Sequence, residues 1–232
     1  MIKVVFFDLY QTLVRYQPPQ EELEAKALKK FGFDVSPEKL RHPILTANEH
    51  IYEQIAKRPL SQRSREEVMA LYMEYQRTVL KEASLKAEEK VVMGLLGMMQ
   101  QEKMDLVLFD DVLAALDNLK KRGLKLGMIS NIERDMSATL EKLGLSARLD
   151  IVVTSQDAGF TKPQPEIFQY ALEKAGVKPD EAVYVGDQYQ VDVIGAEGAG
   201  MKGVLLDRED YYQESPGCLK IKSLGELSKH IT

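Results

Sequence analysis

Four apolar runs in this sequence are each followed, directly or just beyond, by polar groups able to do chemistry together. They are Asp8 with Thr12, Ser130 with Asn131, Lys162, and Asp187 with Asp192. A carboxylate at the end of an apolar strand must be desolvated or paired, so Asp8 is not there for stability alone. It can act as a nucleophile that forms a covalent intermediate. Asp8 and Asp187 brought together repel each other unless a proton or a cation lies between them. Oxygen-only ligands with room for water suit Mg²⁺. Lys162 would offset the charge of the carboxylates and of an anionic substrate. Ser130 and Asn131 could hydrogen-bond transferring oxygens, and Thr12 could do so or cap the following turn. Singly, each feature is ordinary: an aspartate at a helix start, Ser-Asn in a turn, Lys-Pro in a loop, Gly-Asp opening a helix. Their order along the chain, each after a strand, is what points to a site.

The elements that must position them follow from hydrophobic period. Val4–Phe7 reads as a buried strand, with Asp8 at its carboxyl end. Further buried strands are expected at 124–129, 151–154, 182–185 and 203–206, alternating with helices at 112–122, 136–143, 165–175 and 191–199. Three of those helices end at a glycine: Gly123, Gly144 and Gly176. Such alternation predicts an α/β fold with a doubly wound parallel sheet, whose strands deliver their carboxyl ends to one edge. Residues 15–100 differ, showing helical period with almost no strand signal. Helices are expected from Glu21 to Phe31, from Ser36-Pro37-Glu38 onward with a kink at Pro43, from a Ser64–Glu67 capping box, and over the Met-rich segment Val91–Met99. The predicted organisation is therefore a core of 1–14 and 101–232 with an inserted helical domain at 15–100.

Composition bounds the partners. The chain has 232 residues, 44% hydrophobic and 29% charged, with a net charge of -5, which argues against a nucleic-acid surface. Its single cysteine, Cys218, excludes an internal disulfide framework and has no catalytic partner in view. No segment reads as a signal peptide or a membrane span, so a cytoplasmic location is expected. His42, His50 and His230 form no metal-binding spacing with it. Tyr211-Tyr212 reads as a late surface loop, and Leu219 to Thr232 as a short strand and closing helix. The segment from Met93 to Met104 suits either a packed core or a dimer surface, so monomer and homodimer are both open.

The stretches FFDLYQTL, GMISN, GFTKPQPEIFQYAL and YVGDQYQVD followed by IGAEGAGM resemble the haloacid dehalogenase (HAD) superfamily. They run from Phe6 to Met201, and the inserted helices lie where that superfamily carries its cap domain. The resemblance implies a Rossmann-like core with Asp8 as nucleophile, and Ser130 and Lys162 binding the transferred group. It also implies Mg²⁺ held by Asp8, Asp187 and the backbone carbonyl of Tyr10. Asp192 would be an additional metal-site carboxylate or one standing behind the ligands. Phosphatases of the superfamily carry a second aspartate, the general acid and base, where this chain has Tyr10. Acid–base help of that kind typically contributes ~10²–10⁴-fold. A phenol with pKa near ~10 is a poor base at neutral pH but carries a proton that it can give as an acid.

Tyrosine at that position resembles the 2-haloacid dehalogenases, which use no metal and need a basic cap residue. Arg15, Arg41, His42 and Arg58 are the candidates here. Asp187 points the other way, because an uncompensated carboxylate beside the nucleophile would oppose an anionic haloacid. The favoured expectation is a Mg²⁺-dependent phosphatase acting on a small phosphorylated metabolite, slow or restricted to good leaving groups. The alternatives are a metal-independent 2-haloacid dehalogenase, a phosphonate-cleaving enzyme using cap Lys39 or Lys57, and a HAD-fold binding protein without turnover.

Overall fold

The computed structural model describes residues 1–212 and 217–231; Thr232, the end of the expected tail, lies outside them. Strand β1 is Val4–Phe7, buried at all four positions. Its unbroken apolar run suits a strand covered on both faces. After β2 (Val14–Gln17) come helices α1 (Gln20–Lys30), α2 (Pro37–Lys57), α3 (Arg65–Glu82) and α4 (Glu89–Met99). Next come β3 (Asp105–Leu108), α5 (Val112–Lys121), β4 (Lys125–Ser130), α6 (Ser137–Lys142), β5 (Ile151–Thr154) and the short α7 (Ser155–Ala158). The chain continues through α8 (Pro165–Ala175), β6 (Ala182–Gly186), α9 (Gly195–Gly198), β7 (Lys202–Leu206) and β8 (Leu219–Ile221). A 3₁₀ turn at Leu224–Lys229 follows the last strand.

Six strands form a sheet in the order β5-β4-β1-β6-β7-β8, parallel throughout. This is the doubly wound α/β core expected from the alternation of periods. Phe7 is level with Met128 of β4 and Val185 of β6, so Asp8, Ser130 and Gly186 end neighbouring strands at one edge. One layer of the core packs Val4, Phe6, Ile129, Val153 and Tyr184 against Ile167, Phe168, Ala171 and Leu172 of α8.

The chain divides into two compact units, residues 1–15 with 107–232, and residues 16–106. The helical unit has its own core, in which Leu28, Leu40, Ala47, Val79, Leu80, Val92 and Leu95 are buried. Its α3 opens with the expected capping box: Glu67 N donates to Ser64 Oγ, and Ser64 N to Glu67 Oε2. Helix α2 runs continuously through Pro43. In α4, Val91, Val92, Leu95 and Leu96 are buried while Met93 is exposed.

Three local expectations are corrected. Strands β2 and β3, which pair with each other, flank the helical insertion at positions where no strand was expected. Each has four residues and is half exposed, so neither carries a buried run. Helix α7 was missed, although its capping box of Thr154 and Asp157 is a sequence signal. The single helix expected at 191–199 is a π turn over Tyr189–Ile194 followed by α9. Wide turns of this kind are frequent at functional sites.

Candidate functional site

The sheet edge gathers the predicted side chains around Lys162. All three ammonium donors are used: to Asp8 Oδ1 at 2.6 Å, Asp192 Oδ1 at 2.7 Å and the Tyr184 hydroxyl at 2.8 Å. Asp8, Lys162 and Asp192 are all buried. Ser130, the last residue of β4, reaches Asp8 Oδ1 at 3.4 Å. The Tyr184 hydroxyl has the Ile129 carbonyl at 3.0 Å and Asp192 Oδ1 at 3.2 Å within donating reach. A cation enclosed by two carboxylates and a phenol oxygen is costly to bury but fully paired.

The π turn makes Asp192 possible. It begins two residues after Asp187 and carries Asp192 back toward the strand end, where Asp192 Oδ2 accepts from Gln188 N at 3.0 Å. Gly186 provides the room. A Cβ there would lie 2.3 Å from Asp192 Cγ, closer than real atoms approach.

Charge at the edge is set by burial first. Burial pushes the Asp8 carboxyl up to about 6, with Lys162 working against the rise and Asp192 adding to it. Asp187 is pushed well above the carboxylate range, by burial and then by Asp192 and Asp8. Burial disfavours the Lys162 charge, but Asp192 and Asp8 outweigh it and raise its pKa. One cation thus serves a crowd of carboxylates, and the Asp8–Asp187 pair calls for a proton or a second cation.

Two enclosed polar atoms face this need. Asp187 Oδ1 and Thr12 Oγ1 are buried without a hydrogen-bond partner. Among the described residues, no three His, Cys, Asp or Glu side chains converge as a metal cluster. A divalent cation here would take side-chain oxygens from Asp8 and Asp187 only. That donor set fits Mg²⁺, which uses one or two carboxylates and keeps several waters.

Two of the expected side chains are engaged within the site itself. Asn131 was expected to contact the substrate, but its amide is used by Lys162. Lys162 N donates to Asn131 Oδ1 at 2.7 Å, and Asn131 Nδ2 donates to the Lys162 carbonyl at 3.0 Å. It therefore fixes the lysine backbone. Asp192, expected as a metal carboxylate, has both oxygens engaged by Lys162, Tyr184 and Gln188, so of its two expected roles the one behind the ligands fits.

Tyr10 is half-buried, and Arg134 Nη2 lies 3.4 Å from its hydroxyl. Tyr184 and Arg134 were not anticipated. Tyr184 reads as a core strand residue and Arg134 as a loop charge, and only long-range placement reveals them. Of the basic residues considered for a haloacid carboxylate, Arg41 pairs with Glu21 and Arg58 with Glu67 inside the helical unit. Arg15 lies over the Phe109 ring at 5.4 Å. Lys39 and Lys57 are exposed, unlike the desolvated lysine that Schiff-base chemistry favours. No helix among the described residues is long and apolar enough to cross a membrane.

Known proteins resemble this chain in sequence and fold. The chain is 38% identical over 126 residues to a glyceraldehyde 3-phosphate phosphatase of Methanothermobacter thermautotrophicus, covering 53% of this chain and 56% of that protein. It thus spans about half the length of the first curated relatives it matches. A ribulose-1,5-bisphosphate 5-phosphatase of Halopiger xanaduensis is 27% identical over 213 residues, 89% of this chain and 85% of that protein. A crystal structure of a HAD phosphatase from Thermococcus onnurineus superposes with a TM-score of 0.57 at 26% identity, covering 99% of this chain and 97% of that one. The profile of the haloacid dehalogenase-like hydrolases matches residues 2–200. That match takes in most of the sequence, including the strand ends at Asp8, Ser130 and Gly186, and the chain belongs to the haloacid dehalogenase-like hydrolase family.

Proposed function

We propose that this chain is a phosphatase that hydrolyses a small phosphorylated metabolite through a covalent intermediate on Asp8, with Mg²⁺ as cofactor. The observation that carries the reading is the enclosed, unpartnered Asp187 Oδ1 beside the Lys162-bound Asp8. A haloacid site would gain nothing from that extra carboxylate. The phosphatase names of the relatives support the same reaction class.

In this reading an Asp8 oxygen attacks phosphorus and the bond to the leaving oxygen breaks, giving an aspartyl phosphate and the released leaving group, an alcohol from a phosphate ester or a carboxylate from an acyl phosphate. Lys162 holds Asp8 and offsets charge on the transferring group, and Ser130 and Thr12 donate hydrogen bonds to its oxygens. Mg²⁺, held by Asp8, Asp187 and the Tyr10 carbonyl, would supply further charge neutralisation. The Tyr10 phenol can protonate the leaving oxygen but is a weak base for the water that follows. That water attacks phosphorus, releases inorganic phosphate and frees Asp8. Acyl phosphates and other good leaving groups need the least acid help, so they are the favoured substrates. The helical unit, inserted in the sequence just after the nucleophile loop, is read as the cap that selects among them.

The test is phosphate release from p-nitrophenyl phosphate with Mg²⁺ and with EDTA. Activity is expected only with Mg²⁺, and Asp8→Asn is expected to abolish it. The second reading, a metal-independent 2-haloacid dehalogenase, rests on Tyr10. Chloride release from L-2-chloropropionate in the presence of EDTA would establish that reading and sink the first.

A further inference from the structure

Arg208 lies two residues beyond β7, and the proposed reaction gives it no role. It is largely enclosed, and its guanidinium is held on three sides. Nη1 and Nη2 each donate to one oxygen of Asp111 at 3.0 Å, a bidentate pair. The guanidinium carbon stands 4.0 Å above the centre of the Phe109 ring. Nη2 has a second acceptor, the carbonyl of Thr12, at 2.9 Å. Asp111 is anchored in turn, since its Oδ2 accepts from Ser223 Oγ and Leu224 N, both at 2.8 Å.

The loop that Arg208 touches is the one that carries the site. Asp8 N donates to the Val185 carbonyl at 2.9 Å, and the chain then turns back on itself within six residues. Leu13 N and Val14 N both donate to the Leu9 carbonyl at 2.9 Å. Gln11 N donates to the Val14 carbonyl at 2.7 Å, with Gln11 in the left-handed region at φ 60. A side chain is strained in that region, so neighbouring structure must hold the turn. The Arg208 bond to Thr12 is such a hold, and it reaches across from the far side of β6 in the strand order. Only a planar fork can grip a carboxylate with two N–H groups and still offer a third to a carbonyl; an ammonium cannot do all three in this geometry.

We propose that Arg208 is a positioning residue: it fixes the Thr12 carbonyl, and through it the turn that presents Asp8, Tyr10 and Thr12 to the substrate. The alternative is a fold staple, with Arg208 and Asp111 contributing stability alone. The kinetic part of the proposal rests on the phosphatase reading above; the structural part does not.

The experiment compares wild type, Arg208→Met and Arg208→Lys. It measures kcat and KM on p-nitrophenyl phosphate with Mg²⁺ at a temperature where each protein is folded, and hydrogen exchange at the amides of Gln11, Leu13 and Val14. Arg208→Met is expected to lower kcat on the order of ten- to a hundredfold, as sub-ångström misplacement of reacting groups does, with KM changed less than about threefold. Its three loop amides should exchange faster than in wild type. Arg208→Lys should fall between the two, because an ammonium can reach one acceptor but not grip all of them. Wild-type kcat and unchanged loop exchange in Arg208→Met, with only the melting temperature lowered, would leave a staple and overturn the proposal. If Arg208→Met does not fold, wild-type behaviour of Arg208→Lys in both measurements overturns it instead. If wild type releases no phosphate, the phosphatase reading fails by itself, and exchange at the three amides decides the positioning role.

Discussion

Each unit of the molecule buries acidic side chains, and the two solve the same electrostatic problem differently. In the α/β unit, Asp8 and Asp192 share the Lys162 ammonium at 2.6 Å and 2.7 Å. In the helical unit, Glu24 of α1 is fully buried, and the groups that act on it are neutral amides. Gln76 Nε2 donates to Glu24 Oε1 at 2.9 Å, and Gln20, which also bonds Glu24, donates to the Tyr75 hydroxyl at 2.8 Å. Burial pushes the Glu24 carboxyl up to about 7, against the pull of those amides. Two atoms of the pair are left without partners, Glu24 Oε2 and Gln76 Oε1. A proton on Glu24 removes the charge that burial penalises. The contrast is between carboxylates drawn toward the ionised form by a buried cation and a carboxyl that burial favours as neutral.

The strongest way to break this contrast is to take the cation away. Lys162→Met leaves Asp8, Asp187 and Asp192 buried together without compensation. Loss of one partner of a buried ion pair costs about 3–5 kcal/mol. Urea unfolding at neutral pH should show a loss of that order, reduced by added Mg²⁺ if the cation site is as described. A loss too small to measure would mean that the cluster is not organised by charge.

Glu24 gives the next largest effect, and its sign is fixed by linkage. Its folded pKa of about 7 lies above the ordinary 4.5, so the folded state holds the proton more tightly than the unfolded one. The stability it contributes is full below 4.5, falls as pH rises through 7, and is lost above that. At about 1.4 kcal/mol per pKa unit, roughly 3 kcal/mol disappears across this window. Glu24→Gln cannot lose a proton, and its own amide can still pair with Gln76. Its unfolding free energy should therefore gain on wild type as pH is raised from about 5 to about 8. Parallel curves for the two proteins would show that Glu24 is already ionised when folded.

The smallest effect sharpens the pairing itself. Gln76→Met removes the amide and leaves Glu24 without that donor, which should cost about 1–3 kcal/mol at pH near 5. The double change Glu24→Leu with Gln76→Met should recover most of this, since apolar replacement of both partners leaves nothing unsatisfied. A double variant no more stable than the single one would place the value of the pair in its shape and not in its hydrogen bonds.

How much of this was legible in the sequence depended on whether a signal was local. Asp8, Ser130 and Asp187 were legible because each stands at or just after the end of a buried run, and a parallel sheet must bring such ends together, whereas Lys162 lies beyond both β5 and α7. Tyr184 was not found, because its hydroxyl works across the sheet from a strand position that sequence reads as core. Arg208 was hidden in an ordinary turn, its partners Thr12 and Asp111 being 196 and 97 residues away. Glu24 and Gln76 are 52 residues apart, yet Glu24 left a trace: it sits four residues before Leu28, on the apolar stripe of its helix. The π turn had no signal in hydrophobic period, which reads 191–199 as one helix.

One consequence lies in what Gly186 lacks. With Asp192 Cγ 2.3 Å from where its Cβ would be, a single methyl group there could enter only by pushing the carboxylate aside. Gly186→Ala would then act as a charge mutation in a protein whose formal charge had not changed. Lys162 would keep its proton and lose an anion to displacement alone. At this position, empty volume is an electrostatic element.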